Sequence, residues 1–317
     1  MRVRHFSTAM LAGAGALALT ACGGGAEMAT NVIQSPPLTP TPTPSPTPTP
    51  TPGSTLSIVD IFTPPPAGTL TAIGLEAPGD NRANLTGAGF SVSYDALFDR
   101  YLIAVPSMPS GYFYRRSAGD VDASWLIGTL ATLDRTGAHG AVEVLKPSGA
   151  QLQLTYTTLA GYNGYSDTGV PFGWFAFGTA TPVSGVPVTG TATYNALIRG
   201  ASIERYAQVT GTAALTFDFG VGKLSGHLDP VLYDPTGLGF NDTQLGRYDF
   251  VNTVYSAGST GFSGQLSNAN VAGLGSFTGL FTGPSAEELM ARWSAPYQFP
   301  GINQTQQMFG VVVGKRQ

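Results

Sequence analysis

The sequence predicts an all-β protein: a C-terminal eight-stranded antiparallel β-barrel preceded by a smaller β-rich domain. Three observations predict it. Only 11% of the 317 residues are charged, and 42 are Gly. Typical soluble domains carry about 25% charged residues, and here Gly, Thr, Ser, Ala and aromatics dominate with little of the Lys and Glu that favour helix, while β-branched and aromatic residues favour strand. Around Gly211 to Phe219 the alternation has period two: Ala213, Leu215, Phe217 and Phe219 share one face, and Thr212, Ala214, Thr216 and Asp218 the other. Gly-rich turn sequences then recur at regular short intervals, the spacing of a sandwich or an up-and-down barrel.

Residues 1–22 are an export signal rather than part of the fold. Arg2 and Arg4 supply a positive start, and Phe6 to Leu19 an apolar run that is short for a membrane span of about 30 Å. Leu19-Thr20-Ala21-Cys22 resembles a bacterial lipobox. In that motif cleavage falls before the Cys, whose thiol is acylated, with palmitate as the expected chain; Cys22 is the only cysteine of the protein. Several acyl chains, each adding roughly 0.8 kcal/mol per buried CH₂, anchor a protein stably. The other reading of this site is ordinary A-x-A-type cleavage that leaves a free thiol. Gly23, where Asp would favour retention in the inner membrane, points to the outer membrane.

Residues 23–54 form a linker. From Ser35 to Pro52 Thr and Pro alternate, with nine of the 24 prolines of the chain in that stretch. Such a segment lacks backbone donors and favours polyproline II, reaching about 55 Å over its length. It serves as a stalk or as a disordered tail. The body divides near residue 184, where Thr181-Pro182-Val183-Ser184-Gly185-Val186-Pro187 separates an irregular domain, 55–183, from a regular one, 184–317. In the second, strands are predicted at Gly190–Ile203, Gly211–Phe219, Lys223–Tyr233, Arg247–Ser256, Gly261–Asn268, Gly275–Thr282, Ala291–Tyr297 and Gln307–Lys315. Gly220-Val221-Gly222 reads as a hairpin turn. Ser285-Ala286-Glu287-Glu288 is an S-x-x-E capping box, predicting one helical turn before the seventh strand.

At these residues a family resemblance emerges. Phe177-Gly178, Thr181-Pro182, Pro187, Gly190, Ala192 and Tyr194, then Gly211, Asp218-Phe219 and Gly226, and finally Gly279 to Glu288 (GLFTGPSAEE) resemble the β-barrel domain of transferrin-binding protein B and its relatives among surface lipoproteins. Met290-Ala291 stand where the family usually has a Gly-Gly pair. The resemblance implies a handle domain upstream, to which Phe90 to Asp95 and Tyr101 to Ile103 belong, and one handle-plus-barrel lobe where the full-length proteins have two. It also implies a lipid-anchored, cell-surface protein of the outer membrane that binds a protein or solute ligand in iron or haem acquisition. A TonB-dependent receptor or a surface-lipoprotein translocon would be its partner in the envelope.

Composition and motifs exclude other classes. Three Lys against twelve Arg, and a net charge of −4, argue against nucleic acid as a partner. The body holds only His139 and His227 and no Cys, so no metal or cofactor is expected. His227 falls in the alternating set Lys223, Ser225, His227 and Asp229, a polar strand face. With no G-x-S-x-G elbow, P-loop or dinucleotide fingerprint, no enzymatic activity is expected. The residual route to catalysis is a carboxylate pair drawn from Asp218, Asp229, Asp234, Asp242 and Asp249.

Aromatic and Arg density is the index for binding, because interface hot spots favour Tyr, Trp and Arg. It selects Tyr112, Phe113, Tyr114, Arg115 and Arg116, then Tyr162 and Tyr165 ahead of the aromatic run Phe172 to Phe177, and finally Tyr233 and Phe240 in a long polar loop. The other reading of the first two groups is core filling. Two alternatives to a ligand-binding lipoprotein stay open on sequence: a structural or adhesive envelope lipoprotein with no defined solute ligand, and a membrane-spanning pore, whose strands also alternate apolar and polar residues.

Overall fold

The computed structural model describes residues 68–79, 84–98, 100–115, 124–131, 139–145, 152, 154–165, 169–204, 207–233 and 242–317. All belong to one compact unit, Pro52–Gln317. The signal peptide, Cys22 and the Thr/Pro segment lie outside the described residues, as do Arg116 and Phe240.

The fold is all-β, as predicted. The upstream half contributes β1 (Gly68–Ala77), β2 (Ser91–Asp95), β3 (Arg100–Val105), β4 (Met108–Arg115), β5 (Ser124–Ala131), β6 (His139–Leu145), β7 (Thr157–Tyr165) and β8 (Phe172–Gly178). Each pairs antiparallel with the next, and β8 returns to β1 from Thr71↔Gly178 to Ala77↔Phe172. The handle region is therefore itself a closed eight-stranded barrel, which the sequence did not reveal. Strand alternation explains its interior: β3 buries Tyr101, Ile103 and Val105 on one side, and β2 buries Val92 and Tyr94. Tyr162, Phe175 and Phe177 complete that core.

The downstream half contributes β9 (Thr191–Ser202), β10 (Gln208–Asp218), β11 (Lys223–Tyr233), β12 (Thr243–Gln244), β13 (Tyr248–Val254), β14 (Gly261–Ser267), β15 (Gly275–Thr282), β16 (Glu288–Gln298) and β17 (Thr305–Arg316). The spatial order is β10-β9-β17-β16-β15-β14-β13-β11, and β10 pairs with β11 from Gln208↔Tyr233 to Asp218↔Lys223, closing an eight-stranded barrel. β12 is a two-residue addition at the end of β11. The eight predicted strands all form, each within a few residues of its expected bounds. Closure removes the free edges that an open sheet would leave for aggregation.

The inward row of β10 is the predicted one: Ala213, Leu215, Phe217 and Phe219 are all buried. Phe217 is the hub. Its ring lies 4.7 Å from Phe281, 5.0 Å from Phe262, 5.2 Å from Tyr255 and 5.5 Å from Tyr194, centroid to centroid. Such pairs add about 0.5–1.5 kcal/mol each beyond the area they bury. Outward along the hairpin stand Thr212, Thr216, Lys223, Ser225 and Asp229. Along this hairpin the apolar face is internal, the reverse of a lipid-facing strand pair, which speaks against the pore reading.

Two turns at one end of this barrel show local chemistry deciding the path. Gly220 and Val221 donate their N–H groups to Asp218 Oδ1 at 3.1 and 3.0 Å, and Gly222, at φ +71°, supplies the left-handed residue of the predicted hairpin. The capping box behaves differently. Ala286 adopts φ +59°, the Ser285 N–H donates to Glu287 Oε2 at 2.8 Å, and Glu288 already opens β16, so no helical turn forms. Tertiary contact overrides the local signal: Ala286 is fully buried, and its carbonyl accepts from the Tyr194 hydroxyl inside the barrel.

Candidate binding surface

Among the described residues both barrel interiors are packed with side chains, so the surfaces open to a ligand lie on the outside. Three regions are available: the two ends of the molecule and the seam where the barrels meet.

The seam is built from the outer faces of β7, β8 and β1 against those of β9, β16 and β17. Leu152, Leu154, Leu159 and Ala176 pack on Met290, Val311 and Val313, and Phe172 on Phe309 with ring centroids 5.5 Å apart. Backbone bonds continue from one sheet to the other: Thr181 N–H donates to Phe281 O at 3.0 Å, and Gly283 N–H to Thr179 O at 2.9 Å. The Thr157 and Thr282 hydroxyls bond each other across the seam, buried. Beside them Glu288, 1% exposed, accepts the N–H groups of Thr155 and, at 2.9 Å, Tyr156. Burial pushes its carboxyl up to about 7, opposed by those two N–H donors, the Lys315 ammonium and the Thr157 hydroxyl.

These contacts align the barrels. The end formed by the turns β2–β3, β10–β11, β13–β14 and β15–β16 also holds the start of β1 and the end of β4. The opposite end holds the end of β7, the start of β8, the end of β11 and the start of β17. The sequence-selected residues divide between them. Tyr112 pairs with Leu102 in mid-strand, while Phe113, Tyr114 and Arg115 run to the first end; for these four, and for Tyr165, the description is of the backbone. Tyr165, paired with His139, closes β7 at the second end. There too is Tyr233, 42% exposed at the tip of β11 where its long loop begins. The structure therefore brings Tyr165 and Tyr233 to one end and leaves the Tyr112–Arg115 stretch away from them.

Tyr162 is corrected. It lies inside the upstream barrel, 3% exposed, where its hydroxyl donates to Glu76. Desolvation, together with the Glu76 charge, raises the phenol well above its usual range, so it stays a neutral donor. Glu76, fully buried, also accepts from the Ser107 backbone N–H at 3.1 Å and from its hydroxyl. The core reading of the aromatic run is the correct one as well: Phe172, Phe175 and Phe177 are buried.

What the sequence missed are the apolar turn tips. At the first end Leu97 is 83% exposed, Phe98 57% and Val221 78%, with Val183, Val188 and Val254 also exposed. Phe98 lies under the Arg100 guanidinium, 4.5 Å from centroid to Cζ, and Asp95 holds that Arg at 3.0 Å. Single apolar residues in turns carry no periodic signal, so only exposure reveals them.

His227 does lie on a polar outer face. Its Nε2 is 3.3 Å from Asp229 Oδ2, and Asp229 also receives Arg247 through Nε at 3.0 Å and Nη2 at 3.2 Å. This face borders a cleft of about 580 Å³ lined by Asn195, Thr212, His227, Gln317 and, from the upstream half, Leu152. Asp218 caps a turn at one end of the barrel, while Asp229 is committed to Arg247. Asp234 lies outside the described residues. Among the described residues no group of three or more His, Asp or Glu is placed to hold a metal ion.

Fold and surface define a class: a protein of two antiparallel barrels, joined along a seam, with loops displayed at both ends. Comparison with protein-family profiles and with curated proteins gives no match. Comparison with solved structures finds similarity to transferrin-binding protein B from Haemophilus parasuis, a double-mutant vaccine antigen, at 14% identity and TM-score 0.44, covering 77% of this chain and 44% of that one. The isotype 1 transferrin-binding protein B of Neisseria meningitidis is similar at 18% identity and TM-score 0.41, over 78% of this chain and 43% of that one. A protein described as a surface lipoprotein is similar at 13% identity and TM-score 0.37, over 78% of this chain and 98% of that one. The chain thus spans less than half the length of the transferrin-binding proteins it matches.

Proposed function

We propose that this chain is a lipid-anchored outer-membrane protein whose body binds a protein or solute ligand on its outer surface, without catalysis, in the setting of iron or haem acquisition. The observation that carries the binding half is that, among the described residues, both interiors are filled, the downstream one around Phe217 and the upstream one around Tyr101, Phe175 and Phe177. A carrier that encloses its ligand needs a cavity; these barrels present loops and outer faces instead, in the manner of a scaffold for variable contacts. The anchoring half rests on the lipobox-like Leu19-Thr20-Ala21-Cys22 and the Thr/Pro stalk that follows it. In this reading the acylated Cys22 holds the chain on outer-membrane lipid, the stalk projects the body, and a TonB-dependent receptor or surface-lipoprotein translocon is its partner.

The test has two arms. Cys22→Ala should move the protein from the membrane fraction to the soluble fraction; membrane association that survives the substitution refutes the anchor. The purified body should capture a component of host fluid or growth medium saturably. Repeated absence of any saturable capture would instead favour a structural envelope protein.

A further inference from the structure

The least explained charge in the described structure is Arg292. It sits on the outer face of β16, opposite Thr278 of β15, with Ser276↔Ser294 the next pair along the same face. Its described bond is one donation, from Nη1 to the Gly87 carbonyl at 2.7 Å, from a segment 205 residues away. No carboxylate among the described residues lies within ion-pair distance of it, whereas Arg100 and Arg247 each hold an Asp. A guanidinium has five N–H donors in a planar fork, so most of this one's donor capacity is left over. A partly buried cation in that condition is costly unless something else meets it.

The surroundings show what that is. Arg292, Ser276, Thr278 and Ser294 line a cleft of about 270 Å³ between the barrels, and Leu75 and Leu85 form its other wall. Gly87 stands at the mouth: a Cβ there would lie 1.7 Å from Arg292 Nη1, so any larger residue would push the guanidinium from its present place. One cation matches one negative charge. The neighbouring Arg199 is two strands away across Val311, with its Nη1 on the Ile198 carbonyl, and a dianionic phosphate would want a second cation close by. The Ser and Thr hydroxyls are neutral groups that both donate and accept, suited to hydroxyl partners, and the Leu wall suits the C–H face of a ring.

We propose that this cleft binds a monocarboxylated sugar. The carboxylate takes the free edge of the Arg292 fork, the sugar hydroxyls bond Ser276, Thr278 and Ser294, and the ring lies against Leu75 and Leu85. A fork-to-carboxylate pair is the strongest geometry available to such a group. The cleft size fits one such ring. This site is distinct from the loop ends, and its occupancy does not depend on whether Cys22 carries lipid.

Titration calorimetry on the full chain, with D-glucuronate, D-glucose, acetate and inorganic phosphate as separate probes, tests it. Glucuronate should bind saturably and at least tenfold more tightly than glucose, which lacks the charge, or acetate, which lacks the hydroxyls. Arg292→Gln should weaken glucuronate at least tenfold, and Arg292→Lys, which keeps charge without the fork, by several-fold. Thr278→Val, at an exposed strand position and independent of Arg292's own packing, should weaken glucuronate but not acetate. The proposal fails if glucuronate does not saturate the wild type, if Arg292→Gln and Thr278→Val both leave its affinity unchanged, or if phosphate binds as tightly as glucuronate.

Discussion

Glu288 couples the stability of the seam to pH. Its carboxyl is buried between the two barrels, and in the folded chain its pKa is pushed up to about 7 from an ordinary 4.5. The sign follows from proton counting. Between those two values the folded state holds a proton that the unfolded state has released, so stability falls as pH rises through that interval and is flat above and below it. A separation of about 2.5 pH units at about 1.4 kcal/mol per unit gives a loss of about 3 kcal/mol between pH 4.5 and pH 7. Glu288→Gln keeps one oxygen for the Thr155 and Tyr156 N–H groups and cannot titrate. Urea unfolding, followed by the fluorescence of Trp174 near the seam and Trp293 in the barrel core, should be run on both proteins from pH 4.5 to pH 8. The stability difference, wild type minus variant, should decline by about 3 kcal/mol over that range, since other titrating groups cancel. A difference that does not change with pH, or that rises with pH, would refute the reasoning, because the carboxylate would then be ionised in the folded state throughout.

Further outcomes are expected from the cores and turns. Phe217→Ala, at the centre of the aromatic cluster, should cost about 3–5 kcal/mol in denaturant unfolding. Tyr162→Phe leaves buried Glu76 one donor short, and should cost about 1.5–3 kcal/mol in the same assay. Gly222→Ala forces a side chain into a left-handed backbone position and brings its Cβ to 2.9 Å from Ala257 N; a loss of about 1–2 kcal/mol should appear as a lower midpoint with an unchanged denaturant slope.

How much of this was legible in the sequence depends on how local each signal is. The downstream barrel announced itself because strands such as β10 and β11 alternate cleanly and their turns are written in Asp, Gly and Val within a few residues. Closure of the upstream barrel was not legible: it depends on β1 pairing with β8, about a hundred residues later, and on Gly-rich strands with little alternation. The S-x-x-E signal at Ser285 was clear and misleading, since the Tyr194 hydroxyl and the burial of Ala286 outweigh a cap. Tyr162 was chosen for its neighbours in sequence, and its burial follows from which face of β7 it occupies. Arg292 gave no sequence signal at all. It is one charge in a strand, and its meaning comes from Gly87, brought to it by the packing of one barrel on the other.

The central claim is that a folded, two-barrel body is held at a membrane by Cys22. The most direct measurement is the intact mass of the N-terminal peptide of the mature protein taken from membranes of cells producing the full chain. The account predicts that the mature chain begins at Cys22, with a mass increased by acyl groups. A mature terminus elsewhere, or a Cys22 of unmodified mass in membrane-derived protein, would contradict it.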